Sequence, residues 1–260
     1  MHRATAKDFL DRVDAAAAGD VVDPLEVQLR DGSRALLRPV GPADKERLAR
    51  GLERLSAESR HLRFGTDIQH LTDKQLRYFT ELDYDDHVAW GALDPEDAEH
   101  PGMGVARWIR LREDPEVAEV AIVVADDYQG RGLGTILLAA LLHTARARGI
   151  RVFRNYVLEQ NDEMLSLLGQ LGAISNPIGG GMYEVDMPIP DTDDALPDTP
   201  AGRVLRSFAE RLSWPWRLGR FLQPVWGGGG EFDPPPPGGD LAESQAWIDE
   251  YLMDLDKRLG

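Results

Sequence analysis

The spacing of apolar and polar positions changes period several times along the chain, and each change marks an element. EVQLRDGSRALLRPV contains two strand-like runs, 26–30 and 34–40, separated by Asp31-Gly32, a pair suited to a tight hairpin turn. Leu48, Leu52 and Leu55 then recur at helical spacing behind Pro42, which favours a helix start. A second short helix is expected over SAESRHLRFG, with Ser56 as cap and Gly65 as stop. A third falls in LTDKQLRYFTEL, capped by Thr72 or Asp73, with Leu76, Phe79 and Leu82 on one face. Strand character returns over 86–94, 103–112 and 116–125, joined by Pro- and Gly-marked turns of the kind that connect an antiparallel meander. Residues 132–148 are apolar on most sides, as a buried helix would be, with Arg146 and Arg148 complementing its dipole and Gly149 terminating it. RVFRNYVLE reads as a strand, NDEMLSLLGQLG as a helix ended by Gly172, and GMYEVDM as a last strand. This order predicts an α/β or α+β domain over 21–190.

Two extensions flank it. Within 1–20, residues 5–18 suit a short helix with Phe9, Leu10 and Val13 as a narrow apolar stripe. Within 191–260, IPDTDDALPDTPAG reads as a linker, and the tryptophan-rich segment 203–226 carries five arginines against one glutamate. GGGGEFDPPPPGGD reads as unstructured and LAESQAWIDEYLMDLDKRL as a short amphipathic helix, so this extension is expected to be largely irregular.

Composition narrows the function classes. An apolar share of 42% can fill a core. The apolar run at 132–142 is interrupted by Thr135 and bounded by His143 and Arg146, short of the roughly 18 residues of a membrane span. MHRATAKDFLDRVDAAAAGD lacks a continuous apolar stretch and so does not read as a secretory signal; cytoplasmic residence is the expectation. Without cysteine there is neither disulfide nor thiolate chemistry, and the six histidines show no metal-ligand spacing. A net charge of −16 argues against a nucleic-acid partner and favours cationic ones. The basic tail segment could dock on the acidic body, lie on an anionic membrane surface or bind a partner; docking in cis is the expectation.

DDYQGRGLGT, 126–135, packs glycines between a strand and a long helix. A phosphate-binding P-loop needs a lysine that is absent here. A dinucleotide turn starting at Gly130 finds Gly132, but then Thr135 in place of the third glycine, and Arg151 where an acid should bind a ribose. What remains is Gln129-x-x-Gly132-x-Gly134. Its glycines let the backbone approach a pyrophosphate, the N–H groups of the first helical turn point at it, and Arg131 adds a charge.

This spacing resembles the acyl-CoA-binding motif of the GNAT acetyltransferase superfamily, and the resemblance extends through most of residues 26–187. It implies a GNAT fold, a mixed central sheet with flanking helices, and acetyl-CoA as co-substrate without a metal. It implies cofactor contacts from Gln129, Gly130, Arg131, Gly132, Leu133, Gly134 and Thr135, and from Asn161 at the opening of NDEML. Ile122, Val123 and Val124 would end the family's fourth strand, which splays so that backbone groups pair with the pantetheine arm and one N–H polarises the thioester carbonyl. RDGSRALLRPVGPADKERLARGLERLSAESRHLRFG resembles the opening of the acetyltransferase domain of bacterial protein lysine acetyltransferases, which typically act on acyl-CoA synthetases. Regulation by the large modules fused to some members is not expected in this chain.

An amine with a pKa near 10.4 is only about 0.04% deprotonated at pH 7, so its attack on a thioester gains from a positioned base. Glu119 alternates with Val117, Ala121 and Val123 on one face of a strand, where a carboxylate is costly unless paired or used. Pairing with Arg107 or Arg110 is one reading; the resemblance implies the other, a general base. One departure stands out: seven residues after Asn161, where many members place a tyrosine that protonates the thiolate, this chain has Leu168. The thiolate could leave unprotonated or take its proton from water, and Tyr156 and Tyr183 are possible substitutes. The arginines of ESRHLRFG either meet an acceptor protein or pair with the acidic surface, and His61 reads as a surface histidine. The expected function is acetyl transfer from acetyl-CoA to a protein lysine, possible acceptors including an acyl-CoA synthetase. The alternatives are a small-molecule amine acetyltransferase and a non-catalytic CoA-binding regulatory module.

Overall fold

The computed structural model describes residues 6–20, 22–64, 69–97 and 102–211. Strands β1 (Leu25–Gln28) and β2 (Arg34–Pro39) form the hairpin around Asp31-Gly32, where Asp31 Oδ1 accepts the Ser33 N–H at 3.0 Å. β3 (His87–Leu93), β4 (Gly102–Arg110) and β5 (Val117–Val124) continue as an antiparallel meander. β6 (Val152–Leu158), β7 (Ile174–Gly179) and β8 (Met182–Pro188) complete one mixed sheet of order β1-β2-β3-β4-β5-β6-β8-β7.

Among the described residues, seven helices flank the sheet: α1 (Ala6–Ala17), α2 (Lys45–Glu53), α3 (Ala57–Phe64), α4 (Asp73–Thr80), α5 (Leu133–Ala147), α6 (Asp162–Gln170) and α7 (Pro200–Arg211). The apolar helix α5 lies against β3, β4 and β5 and is flanked by α1 and α7. Its Leu137, Leu138, Leu141 and Leu142 are fully buried with Trp90 and Trp108, and Trp108 Nε1 donates to Thr144 Oγ1 at 3.1 Å. That bond satisfies an indole N–H that burial would otherwise strand. α2 and α4 pack together beside the 3₁₀ turn Pro42–Asp44, and α2 lies against β4. Thr72 caps α4, accepting the Gln75 N–H while the Gln75 side chain accepts the Thr72 N–H at 2.8 Å.

The sheet has one weak seam. β4 and β5 pair along their length, as do β6 and β8, but β5 and β6 pair in parallel only from Val117↔Val152 to Glu119↔Arg154. Beyond that register the two strands part.

Two segments differ from expectation. β7 has no strand signal, since ISNPIG is mostly exposed and contains Pro177; it forms because an edge strand can spare the N–H that proline lacks. The segment expected as linker after 190 does not leave the body. Thr199 Oγ1 accepts the Gly202 N–H at 3.1 Å and donates to Gln170 O at 2.8 Å, starting α7 at Pro200 and tying it to α6. Ala201 and Leu205, four residues apart, then enter the main core, which Val13 of α1 joins from the other extension. The cap-plus-proline signal Thr199-Pro200 is visible in the sequence but is masked there by the surrounding Asp and Pro residues. Gly65 and the tail elements expected beyond 211 lie outside the described residues. Leu205→Ala is expected to cost about 2–5 kcal/mol, as in other cores, and urea unfolding measures it; an exposed linker leucine would cost almost nothing.

Candidate active site

Where β5 and β6 part, a groove of about 1090 Å³ opens. Its walls come from α3, the turn 126–132, and the first turns of α5, α6 and α7. Strand alternation decides which backbone atoms face it. The Ala125 N–H donates to Met103 O at 2.9 Å, so odd-numbered residues of β5 direct their backbone groups at β4 and even-numbered ones direct theirs at the gap. Ile122 and Val124 therefore present N–H and C=O groups to the groove. Val123 also lines the groove, but its backbone belongs to the ladder opposite Val105, and its side chain packs against the cluster of Leu52, Leu55 and Ala125.

Gly130 (φ +69°) and Gly132 (φ +86°) hold the left-handed conformations that shape the turn and that residues with a Cβ rarely adopt. Gly134 is different. Its φ is ordinary, and a Cβ there would meet only Val124 Cγ2 at 3.8 Å, so nothing in the fold demands glycine. A glycine within a helix costs up to about 1 kcal/mol relative to alanine. Its bareness clears the space in front of Gly132, Leu133 and Thr135, which line the groove where α5 begins without a side-chain cap. Uncapped N–H groups at the positive end of a 15-residue helix form an anion-binding surface.

Arg131 does not line this surface. It pairs with Asp31 at 3.2 Å, donates to Asp127 O at 2.5 Å and lies over the Tyr128 ring, so it joins the turn to the first hairpin rather than facing the groove. The expected charge comes instead from Arg30, whose exposed side chain lines the groove and whose N–H donates to Arg131 O at 3.0 Å. No local pattern in the sequence marks Arg30.

Gln129 braces rather than caps. Its Nε2 donates to Val124 O and to Ser59 Oγ, both at 3.1 Å. Ser59 Oγ donates in turn to Asp126 Oδ1 at 2.7 Å, and Ser56 donates to Asp126 through Oγ at 2.8 Å and N–H at 2.9 Å. Partial burial pushes the Asp126 carboxyl up, but the bonds from Ser56 and Ser59 outweigh it and hold the pKa below the usual range. α3 has no fully buried residue, so this clamp, with Leu62 against Leu158 and Met182, largely fixes its place over the groove.

Glu119 stands at the point of parting, half-buried in the groove wall. Loss of hydration pushes its carboxyl up to about 7, against the opposing attraction of Arg63 on α3. Arg110 is engaged elsewhere, with Asp86 at 2.5 Å and Arg148 O at 2.9 Å, and Arg107 donates to Phe79 O at 3.3 Å and stacks on that ring. The cation acting on Glu119 is thus a helix arginine that strand periodicity could not pair with it. Tyr156 lines the groove as well; burial and then the neighbouring Glu119 and Glu184 push its hydroxyl pKa up. Tyr183 packs against the core instead, and Leu168 is fully buried. Asn161 lines the groove and caps α6, accepting the Met164 N–H at 3.2 Å. His61 meets Gln160 at 3.5 Å. Among the described residues, no group of His, Asp and Glu could hold a metal ion, and no helix is long and apolar enough to cross a membrane.

Residues 52–173 match the model of the acetyltransferase (GNAT) family. The chain is 37% identical over 194 residues to the acetyltransferase Pat of Mycolicibacterium smegmatis, spanning 74% of this chain and 57% of that protein. It therefore covers little more than half of that relative's length. It is 34% identical over 146 residues to the acetyltransferase PA5475 of Pseudomonas aeruginosa, spanning 56% of this chain and 78% of that one. Among solved structures, the GNAT domain of S. lividans PAT superposes with a TM-score of 0.58 at 31% identity, covering 64% of this chain and 96% of that domain. A phosphinothricin acetyltransferase of Sinorhizobium meliloti, solved with AcCoA, superposes with a TM-score of 0.51 at 18% identity, covering 64% of this chain and 94% of its own, a likeness of fold alone.

Asp126→Asn is expected to loosen α3 without unfolding the sheet. Each charge-assisted bond weakened costs about 1–2 kcal/mol, so amide exchange over 57–64 should rise at least tenfold while exchange in α5 stays unchanged. Equal protection in both proteins would show that apolar contacts alone hold the helix.

Proposed function

The chain belongs to the GNAT family of acetyltransferases, and from that premise we propose that it transfers an acetyl group from acetyl-CoA to a lysine amine of a protein, an acyl-CoA synthetase being the leading acceptor class. The observation that carries the reading is Glu119: a carboxyl with a pKa raised to about 7, at the one place where the sheet opens.

The groove's residues suit acyl-CoA. The uncapped start of α5, the bare Gly134 and the exposed Arg30 would hold the pyrophosphate, and the gap-facing backbone of Ile122 and Val124 would pair with the pantetheine arm. Acetyl-CoA supplies the activated carbonyl and a thiolate as leaving group. Glu119 accepts a proton from the incoming ammonium, so that the amine lone pair can form the C–N bond as the C–S bond breaks. A base with a pKa near the working pH is ionised often enough to accept the proton and basic enough to hold it. An N–H of β5 facing the gap would stabilise the charge that develops on the carbonyl oxygen. Tyr156 lines the groove and its raised pKa keeps it protonated, so it would donate a hydrogen bond to the departing thiolate, which takes its proton from water. The reading of a protein acceptor rests on the resemblance of residues 30–65 to the opening of the acetyltransferase domain of bacterial protein lysine acetyltransferases.

Glu119→Gln is expected to lower kcat by about 10²–10⁴ while leaving acetyl-CoA affinity within about twofold; unchanged turnover would remove Glu119 from the mechanism. The active form is the carboxylate, so kcat/KM should rise tenfold per pH unit below about 7 and level off above it, and the variant should lose that limb. Labelled acetyl-CoA with cell lysate, followed by mapping of modified sites, tests the acceptor: modified lysines on a few proteins are expected, and label confined to small amines would overturn the protein-lysine reading.

A further inference from the structure

Opposite the face filled by Trp90 and Trp108, the same sheet is shallow. Ala89, Gly91, Val105, Arg107, Ala121 and Val123 project toward α2 and α4 by strand alternation and register. Between this floor and the helices lies a cavity of about 100 Å³, lined by Leu48, Leu52, Leu55, Phe79 and Leu93 among others, with walls that are mainly carbon. Charged side chains that reach its wall are turned to one another or to rings: Arg38 and Arg47 pair with Asp44, and Arg107 stacks over Phe79 at 4.4 Å. The cavity is not separate from the groove. Arg63, Phe64, Ala121 and Val123 line both, so it begins within two residues of Glu119 on the strand that carries the base.

We propose that this cavity is an acyl-chain pocket, and that the protein binds and transfers straight saturated acyl groups of about four carbons from CoA in preference to acetyl. The proposal rests on the reading of the groove as an acyl-CoA site. An acyl chain leaving a thioester in the β5–β6 gap passes Ala121 and Val123 and enters the end of the cavity that these residues share with the groove, beside Val105. At about 30 Å³ per methylene-sized group, the volume of one water, the space takes three or four carbons beyond the carbonyl. The transfer itself is unchanged: the C–N bond forms at the same carbonyl, the C–S bond breaks, and the proton goes to Glu119.

Calorimetric titration of the full chain with CoA, acetyl-CoA and butyryl-CoA tests the proposal without depending on turnover. Burial contributes about fourfold in affinity per methylene, so butyryl-CoA, with two more methylenes, is expected to bind about 15-fold more tightly than acetyl-CoA. Val105→Phe, which grows into the cavity from the strand beside β5, should remove most of that gain and leave acetyl-CoA affinity within about twofold, and Val105→Leu should remove part of it. Butyryl-CoA binding no tighter than acetyl-CoA, or a gain that survives both substitutions in folded protein, overturns the inference and leaves the acetyltransferase reading intact. Failure of all three ligands to bind overturns both.

Discussion

Three parallel register pairs, Val117 to Glu119 against Val152 to Arg154, join what are otherwise two self-sufficient antiparallel units, β1 to β5 and β6 to β8. Each strand at the seam is held along its length by its outer neighbour, so neither can bend to follow the other once pairing stops. The sheet must then either flood the gap with water or lend its unpaired backbone groups to a ligand. The groove, the position of Glu119 at its apex, and the cavity that opens from it all follow from how short that pairing is. A longer register would close the gap with ladder hydrogen bonds and leave Ile122 and Val124 with nothing to offer.

Charge is handled locally in a chain whose net charge is −16. Arg131, Arg110 and Arg146 are committed to Asp31, Asp86 and Asp193, tying hairpin, meander and α5 to their surroundings. Asp126 gathers serine donors and so fixes α3 to the turn that faces the anion site. Glu119 is the exception: loss of hydration, opposed only in part by Arg63, moves its pKa up toward neutrality.

Much of the fold was legible because its signals are periodic. The meander, the buried α5 and the Asp31-Gly32 hairpin each repeat a pattern over many residues. β7 was not legible, since an exposed edge strand carries no alternation and Pro177 argues against it. Nor was the docking of α7, whose cap lies among linker-like residues. At the site, the motif from Gln129 to Gly134 was visible as spacing, whereas Arg30 and Arg63 come from elements distant in sequence and converge only through the tertiary fold. The side on which Val123 presents its backbone depends on which residue of β5 bonds to β4, and composition cannot reveal that parity.

α7 carries a consequence of another kind. Pro200, Ala201 and Val204 line the groove, and Gln170 holds the helix against α6. A helix of 12 residues rises about 18 Å, so the chain reaches Arg211 still within that distance of the groove wall. The turn that shapes this wall is also the turn whose Ala201 enters the core, so packing and groove geometry cannot change independently there.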